Sequence, residues 1–297
     1  MIEVNDLTLT YASGKGVFDL RFSVGQGEVM GYLGPNGAGK TTTIRALLGF
    51  MKPNSGACTV GGIDCFSGAP LIQKKLGYIP GEISFFDGME GDEFLRFMQD
   101  MRGTRDRTRQ KQLIEQFELD PKGKIRKFSK GMKQKLGIVA AFMHDPEVLI
   151  LDEPTSGLDP LMQNRFVSLI RSEKERGKTI LMSSHSFEEV EKTCDNVLII
   201  KDGCIVKQSD VHSLKRTQRK GYVIRTAEVE TAARILAAAG FEVIPTNGDS
   251  MTVFVTGEAV DRFVKTVSQL KLIDFDVLSQ TLEDVFMHYY GREGQSS

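Results

Sequence analysis

The sequence predicts an α/β protein: a mostly parallel core sheet, an antiparallel β part, a helical part, and a small C-terminal α+β unit. Three observations predict this. Residues 28–33 form a short apolar run, followed by a glycine-rich loop and then a helix-forming stretch at 42–50. From 147 to 206, apolar strand-like runs alternate with helical ones, the pattern of a parallel sheet covered on both faces. Beyond a polar run at 212–220, the order becomes strand, helix, strand, strand, helix, strand. That is the order of a split βαβ, ferredoxin-like unit.

The first apolar residues, Ile2, Val4, Leu7 and Leu9 and then Phe18, Leu20, Phe22 and Val24, alternate loosely and predict antiparallel strands joined by a turn at 13–16. The loop at 34–42 reads Gly-Pro-Asn-Gly-Ala-Gly-Lys-Thr-Thr. It fits G-x-x-x-x-G-K-[ST], with Gly34, Gly39, Lys40 and Thr41 at the fixed positions. In such a loop, backbone N–H groups turn inward around phosphate oxygens, and the N-terminus of the following helix points at the same anion. Asn36, Gly37 and Thr42 belong to that cradle. Lys40 is expected to reach the β and γ phosphates, and the Thr41 hydroxyl to ligate Mg²⁺.

Residues 57–60 and 77–80 read as short strands. The pattern from 89 to 142 is helical, with Phe94, Leu95, Phe97, Met98 and Met101 on one face and Leu113, Ile114 and Phe117 on another. The basic stretch 102–111 between them reads as a solvated connector. Ser129 suits the N-cap of the next helix. The run 148–153, Val-Leu-Ile-Leu-Asp-Glu, is a buried strand ending in two acids. Beside a phosphate loop, Asp152 is expected to hold Mg²⁺ and Glu153 to polarise the attacking water as general base. The remaining elements are expected at 161–176 (helix), 179–184 (strand), 187–194 (helix), 196–201 and 204–206 (strands). The C-terminal unit is expected to carry strands at 222–225, 241–244, 251–255 and 272–277, and helices at 231–239, 258–270 and 282–290.

The chain has 297 residues, 40% hydrophobic and 26% charged, enough for one large domain with a smaller one. Net charge is −1, from 38 basic and 39 acidic residues, which offers no bulk attraction to nucleic acid. The four cysteines lack C-x-x-C or zinc spacing and read as free thiols. No apolar stretch approaches the length of a membrane span and the first residues do not read as a signal peptide, so any spans are expected on another chain.

The motifs together resemble the ATP-binding subunit of an ABC transporter. Residues 129–133 (Ser-Lys-Gly-Met-Lys) are similar to the signature loop, 151–159 to the acidic strand with its D-loop, and 183–185 (Ser-Ser-His) to the switch histidine. The resemblance covers about residues 1–210. The tail at 281–286 (Thr-Leu-Glu-Asp-Val-Phe) resembles the exporter branch for drugs, antibiotics and surface polymers, which pairs its ATPase with separate membrane subunits.

The family implies a P-loop ATPase domain at 1–212 with a helical subdomain at about 83–142; the polar run makes 213–220 a linker to a second domain expected at 221–297. It implies ATP and Mg²⁺ as ligands and a head-to-tail homodimer closing on two ATPs. Ser129 and the Gly131 N–H would meet the γ-phosphate in trans, His185 would bond it, Asp159 would shape the dimer interface, and Tyr11 would stack on adenine. The chain would sit peripherally at the cytoplasmic face of the membrane, bound to an integral permease, with Phe85 and Phe86 as a docking surface.

Two departures stand out. Gly81 occupies the place where the family usually carries a metal-ligating Gln, which leaves Glu82 or water for that role. Lys130 replaces a usual glycine in the signature loop. The rival readings are a non-transport ABC-type ATPase and a regulator that binds ATP without turnover. A single phosphate loop and the short interval from Gly34 to Glu153 speak against the first; intact Lys40, Asp152, Glu153 and His185 speak against the second.

Overall fold

The computed structural model describes residues 1–86, 88–103, 106–184, 186–211, 213, 220–246, 248–256 and 259–278. Two compact units divide the chain, the first spanning Met1–Asp210 and the second beginning at Val211.

The first unit contains two sheets. In the antiparallel sheet the order is β2-β1-β4-β5, from β1 (Ile2–Thr10), β2 (Gly16–Val24), β4 (Ser55–Val60) and β5 (Ile63–Asp64). The alternation that predicts these strands is a burial pattern: Ile2, Val4, Leu7 and Leu9 of β1 all turn into the core.

The second sheet has the order β10-β9-β3-β8-β7-β6. Its strands are β3 (Val29–Leu33), β6 (Leu76–Ile79), β7 (Val148–Asp152), β8 (Thr179–Ser184), β9 (Asn196–Lys201) and β10 (Cys204–Asp210). All pair in parallel except β10, which runs antiparallel to β9. β3, β7 and β8 are buried at every residue, as strands covered on both faces must be. Parallel pairing has a functional consequence. The C-terminal ends of β3, β6, β7 and β8 all lie along one edge of the sheet, where open α/β sheets bind ligands.

Helices α1 (Lys40–Leu47), α2 (Ala69–Lys75), α6 (Pro160–Glu175) and α7 (Phe187–Thr193) connect the strands, and α3 (Gly91–Arg102), α4 (Thr108–Gln116) and α5 (Lys130–Phe142) form the helical part. Ser129 caps α5 as expected, its Oγ accepting from Met132 N at 3.1 Å. Two expectations here need correction. Phe94 and Leu95 are buried, but Phe97 (39% exposed) and Met101 (70%), one turn apart, form a separate outward stripe. Residues 102–111 are not a purely solvated connector either. Arg102 Nη1 donates to Gln73 O at 2.8 Å, and Arg109 pairs with the buried Glu173 of α6. A buried carboxylate requires a partner, which sequence periodicity cannot reveal.

The second unit is a four-stranded sheet, order β12-β13-β11-β14, from β11 (Lys220–Thr226), β12 (Glu242–Pro245), β13 (Ser250–Val255) and β14 (Leu272–Leu278), every neighbour antiparallel. With α8 (Val229–Ala238) and α9 (Val260–Val267), this is the split βαβ topology that the element order predicts. Its core gathers Tyr222, Phe241, Phe263 and Met251. The expected helix at 282–290 and the tail at 281–286 lie outside the described residues.

His144, just past α5, sets a pH limit on the first unit. Its Nε2 lies 3.2 Å from Leu76 O. Burial first, and then the Arg102 charge, hold its pKa down to about 4. The unfolded chain takes up this proton near pH 6.5, so stability falls as pH drops from about 6.5 towards 4. His144→Gln should flatten the loss between pH 7 and pH 5 by about 1–2 kcal/mol, read from urea midpoints; an unchanged slope would contradict this.

Candidate functional site

The site lies where β3, β7 and β8 end. After β3 the chain enters the loop 34–42, with Pro35, Asn36 and Gly37 exposed at its tip and Gly34 and Lys40 buried. Gly39 ends the loop in the left-handed region, φ 112°, directly before α1. A Cβ there would stand 2.6 Å from Val17 Cγ1, so both backbone angle and space require glycine.

Lys40 folds back over the loop. Its Nζ donates to Gly34 O (2.6 Å) and Pro35 O (3.3 Å) and lies 3.7 Å from Glu153 Oε1. Burial lowers its pKa, while Glu153 and Asp152 oppose that shift. Thr41 Oγ1 donates to Asp152 Oδ2 at 2.9 Å. Ser183 donates its hydroxyl to Asp152 Oδ1 and accepts from Glu153 N at 3.1 Å. Glu153 itself has φ +47°, the left-handed region, directly after the strand.

The structure thus brings together Gly34, Gly39, Lys40, Thr41, Asp152 and Glu153, drawn from the ends of β3 and β7. Tyr11 stands by the start of α1: its OH is 3.4 Å from Thr42 Oγ1 and accepts from Arg45 Nη1 at 3.3 Å. Ser129 and Gly131 sit at the start of α5 against the loop that follows Glu153. Gly131 has no side chain between its Cα and Gly157 O, and the Lys130 stem lies along Gly157, with its residue exposed. Gln134 Nε2 ties the two segments together by donating to Pro154 O at 2.6 Å. Asp159 caps α6, accepting from Met162 N at 3.0 Å.

His185 lies outside the described residues. Ser184 Oγ is 2.6 Å from Glu189 Oε2 and accepts from Ser186 N at 2.9 Å. Glu82 is exposed and makes no hydrogen bond or ion pair among the described residues. Its neighbour Gly81 does reach the site, since a Cβ on Gly81 would lie 3.2 Å from Asp152 Oδ2. The two phenylalanines separate. Phe85 packs edge-on against the buried Phe94 (centroids 4.9 Å), whereas Phe86 is 58% exposed and meets Phe97.

Sequence reasoning gives no role to Ser183, Gln134 or Arg45. A serine at the buried end of β8, level with an aspartate ending β7, was the available signal for the first.

The donor set suits a triphosphate with a hard divalent cation. The Lys40 ammonium rests on carbonyls that phosphate oxygens can replace, and a hydroxyl and a carboxylate oxygen stand together at Thr41 and Asp152. Among the described residues no group of three His, Cys, Asp or Glu could hold a metal by itself. Mg²⁺ takes one or two protein ligands beside substrate phosphates and water.

Residues 17–156 match the family model described as ABC transporter. The bacitracin transport ATP-binding protein BcrA of Bacillus licheniformis is 41% identical over 223 residues, 74% of this chain and 73% of the relative. The linearmycin resistance ATP-binding protein LnrL of Bacillus subtilis is 38% identical over 208 residues, 68% and 67%. A solved ATP-binding subunit of an ABC transporter superposes with TM-score 0.67 at 32% identity, over 73% of this chain and 92% of that one. The chain belongs to the ATP-binding proteins of ABC transporters. It is an ATP hydrolase that works with Mg²⁺.

Gly39→Ala should destabilise the first unit by about 1–3 kcal/mol and weaken ATP binding together, through a strained φ and the clash with Val17. Thermal unfolding with and without ATP reads both; parent-like values would contradict the geometry.

Proposed function

We propose that this chain powers export through a separate membrane permease, by closing and reopening a homodimer around ATP. The observation that carries the reading is the convergence of Lys40, Thr41, Asp152 and Glu153 on one edge of the parallel sheet. Relatives named for bacitracin transport and linearmycin resistance support the export direction.

Two copies meet head to tail. Each ATP lies between the loop 34–42 of one copy and Ser129 and Gly131 of the other, at the N-terminus of α5. The Tyr11 ring stacks on adenine. Gly34, Asn36, Gly37, Gly39 and Thr42 surround the phosphates, and Lys40 exchanges its loop carbonyls for β and γ oxygens. Mg²⁺, when bound, neutralises charge across those oxygens. Thr41 and Asp152 would hold it, and Glu82, beside Gly81, or water would fill the place of the missing Gln. Glu153 takes a proton from the water that attacks the γ-phosphorus, and ADP leaves as the P–O bond breaks. His185 bonds the γ-phosphate, and Asp159 borders the partner copy.

The ATP-binding domain spans 1–212, with the helical subdomain at about 83–142, and 213–220 link it to a second domain at 221–297. Among the described residues no helix is long and apolar enough to cross a membrane. The chain acts peripherally, at the cytoplasmic face, where the permease docks on Phe86 together with Phe97 and Met101. Phe85 supports that surface from beneath.

Glu153→Gln should lower ATP turnover by about 10²-fold or more and trap an ATP-bound dimer visible by light scattering. Turnover at the parent rate would remove Glu153 as general base. Paired Phe86→Asp and Phe97→Asp should abolish co-purification with the permease yet leave ATP affinity unchanged. A parallel loss of ATP binding would make these residues part of the fold.

A further inference from the structure

We infer that Ser183 is a positioning residue for the metal-side carboxylate, fixing Asp152 so that one defined oxygen, Oδ2, faces Thr41. The inference rests on the reading of Asp152 as a Mg²⁺ residue. Ser183 ends β8 level with Asp152 in the parallel register, and both are buried, at 0% and 2% exposure. Ile180, Leu181 and Met182 precede it, so burial alone asks for an apolar side chain at this place.

Its hydroxyl has one proton and gives it to Asp152 Oδ1; its oxygen accepts from Glu153 N at 3.1 Å. Among the described residues every hydrogen bond of this hydroxyl goes to the two acids. The main chain of Ser183 adds to the hold, since Glu153 N also donates to Ser183 O at 3.2 Å. One buried serine therefore anchors the carboxylate of the first acid and the backbone of the second, at the residue whose φ is +47°.

The consequence for Asp152 is a division of labour between its oxygens. Oδ1 is committed to β8. Oδ2 accepts from Thr41 Oγ1 at 2.9 Å, and on that side Gly81 contributes no side chain. A carboxylate bonded through both oxygens to different elements cannot turn about its Cβ–Cγ bond without breaking one bond. Groups that hydrogen-bond a metal-binding carboxylate orient it in this way, and their loss typically costs about 10–100-fold in metal affinity or activity.

The test uses the full chain, a non-hydrolysable ATP analogue, and Mn²⁺ as an EPR-visible stand-in for Mg²⁺. Ser183→Ala should raise the Mn²⁺ dissociation constant about 10-fold. Affinity for the analogue in excess EDTA should stay at the parent value, which a general loss of fold would not allow. Ser183→Thr, which keeps the hydroxyl, should retain parent Mn²⁺ affinity. Ser183→Cys, which keeps the volume and loses the strong donor, is read in the same way as Ser183→Ala if the alanine variant does not fold. Asp152→Asn runs alongside. If it leaves Mn²⁺ affinity intact, the metal reading of Asp152 falls. If it weakens Mn²⁺ while Ser183→Ala and Ser183→Cys bind Mn²⁺ like the parent, the role of Ser183 alone is overturned.

Discussion

The hydrogen bond from Thr41 to Asp152 joins residues 111 positions apart in the chain. It forms because β3 and β7 each pair in parallel with β8, in registers that bring Leu33 level with Ser184 and Asp152 level with Ser183. The phosphate loop begins directly after Leu33, and the two acids stand at the end of β7, within one residue of those levels. A slip of one residue in either pairing would turn every side chain of that strand to the opposite face. The uniform burial of β3, β7 and β8 is thus a condition for the chemistry as well as for stability.

Electrostatics at this edge are balanced in advance. Lys40 is drawn back onto the loop by two carbonyls and faces the Glu153 carboxylate at 3.7 Å. Burial alone would favour a neutral amine, and the nearby acids counter that tendency. An arriving polyphosphate brings the negative charge this arrangement can accept, and a divalent cation offsets the excess on the acidic side. The start of α5 is held to the same framework from another direction, through Gln134 and Pro154 and through Gly131 against Gly157. The N-terminus of α5 is therefore tied to the loop that follows Glu153.

Much of this was legible in the sequence, because the signals are local. The loop at 34–42 carries its own spacing, Ser129 is a cap residue placed before helical periodicity, and the run ending in Asp152 and Glu153 is unmistakably a strand. The alternation of strands and helices after residue 220 gave the C-terminal topology. What stayed hidden depends on partners distant in sequence. Arg109 reads as a solvated charge until Glu173 is found buried opposite it. Phe85 and Phe86 look equivalent as neighbours, yet Phe94 takes one ring inward and leaves the other outside. Gly81 reads as a missing ligand, whereas its position against Asp152 also makes it an opening beside the carboxylate. The role of Ser183 depends on Asp152 and Glu153, 31 and 30 positions away in the chain, which its own motif does not contain.

The central claim is that this one sheet edge is the Mg²⁺–ATP site, with the metal held between Thr41 and Asp152. A crystal structure of the chain with Mg²⁺ and a non-hydrolysable ATP analogue tests it most directly. The account predicts the triphosphate inside the loop 34–42, with the metal at ligand distance from Thr41 Oγ1 and on the Oδ2 side of Asp152. A nucleotide bound elsewhere, or a metal remote from both residues, would contradict it.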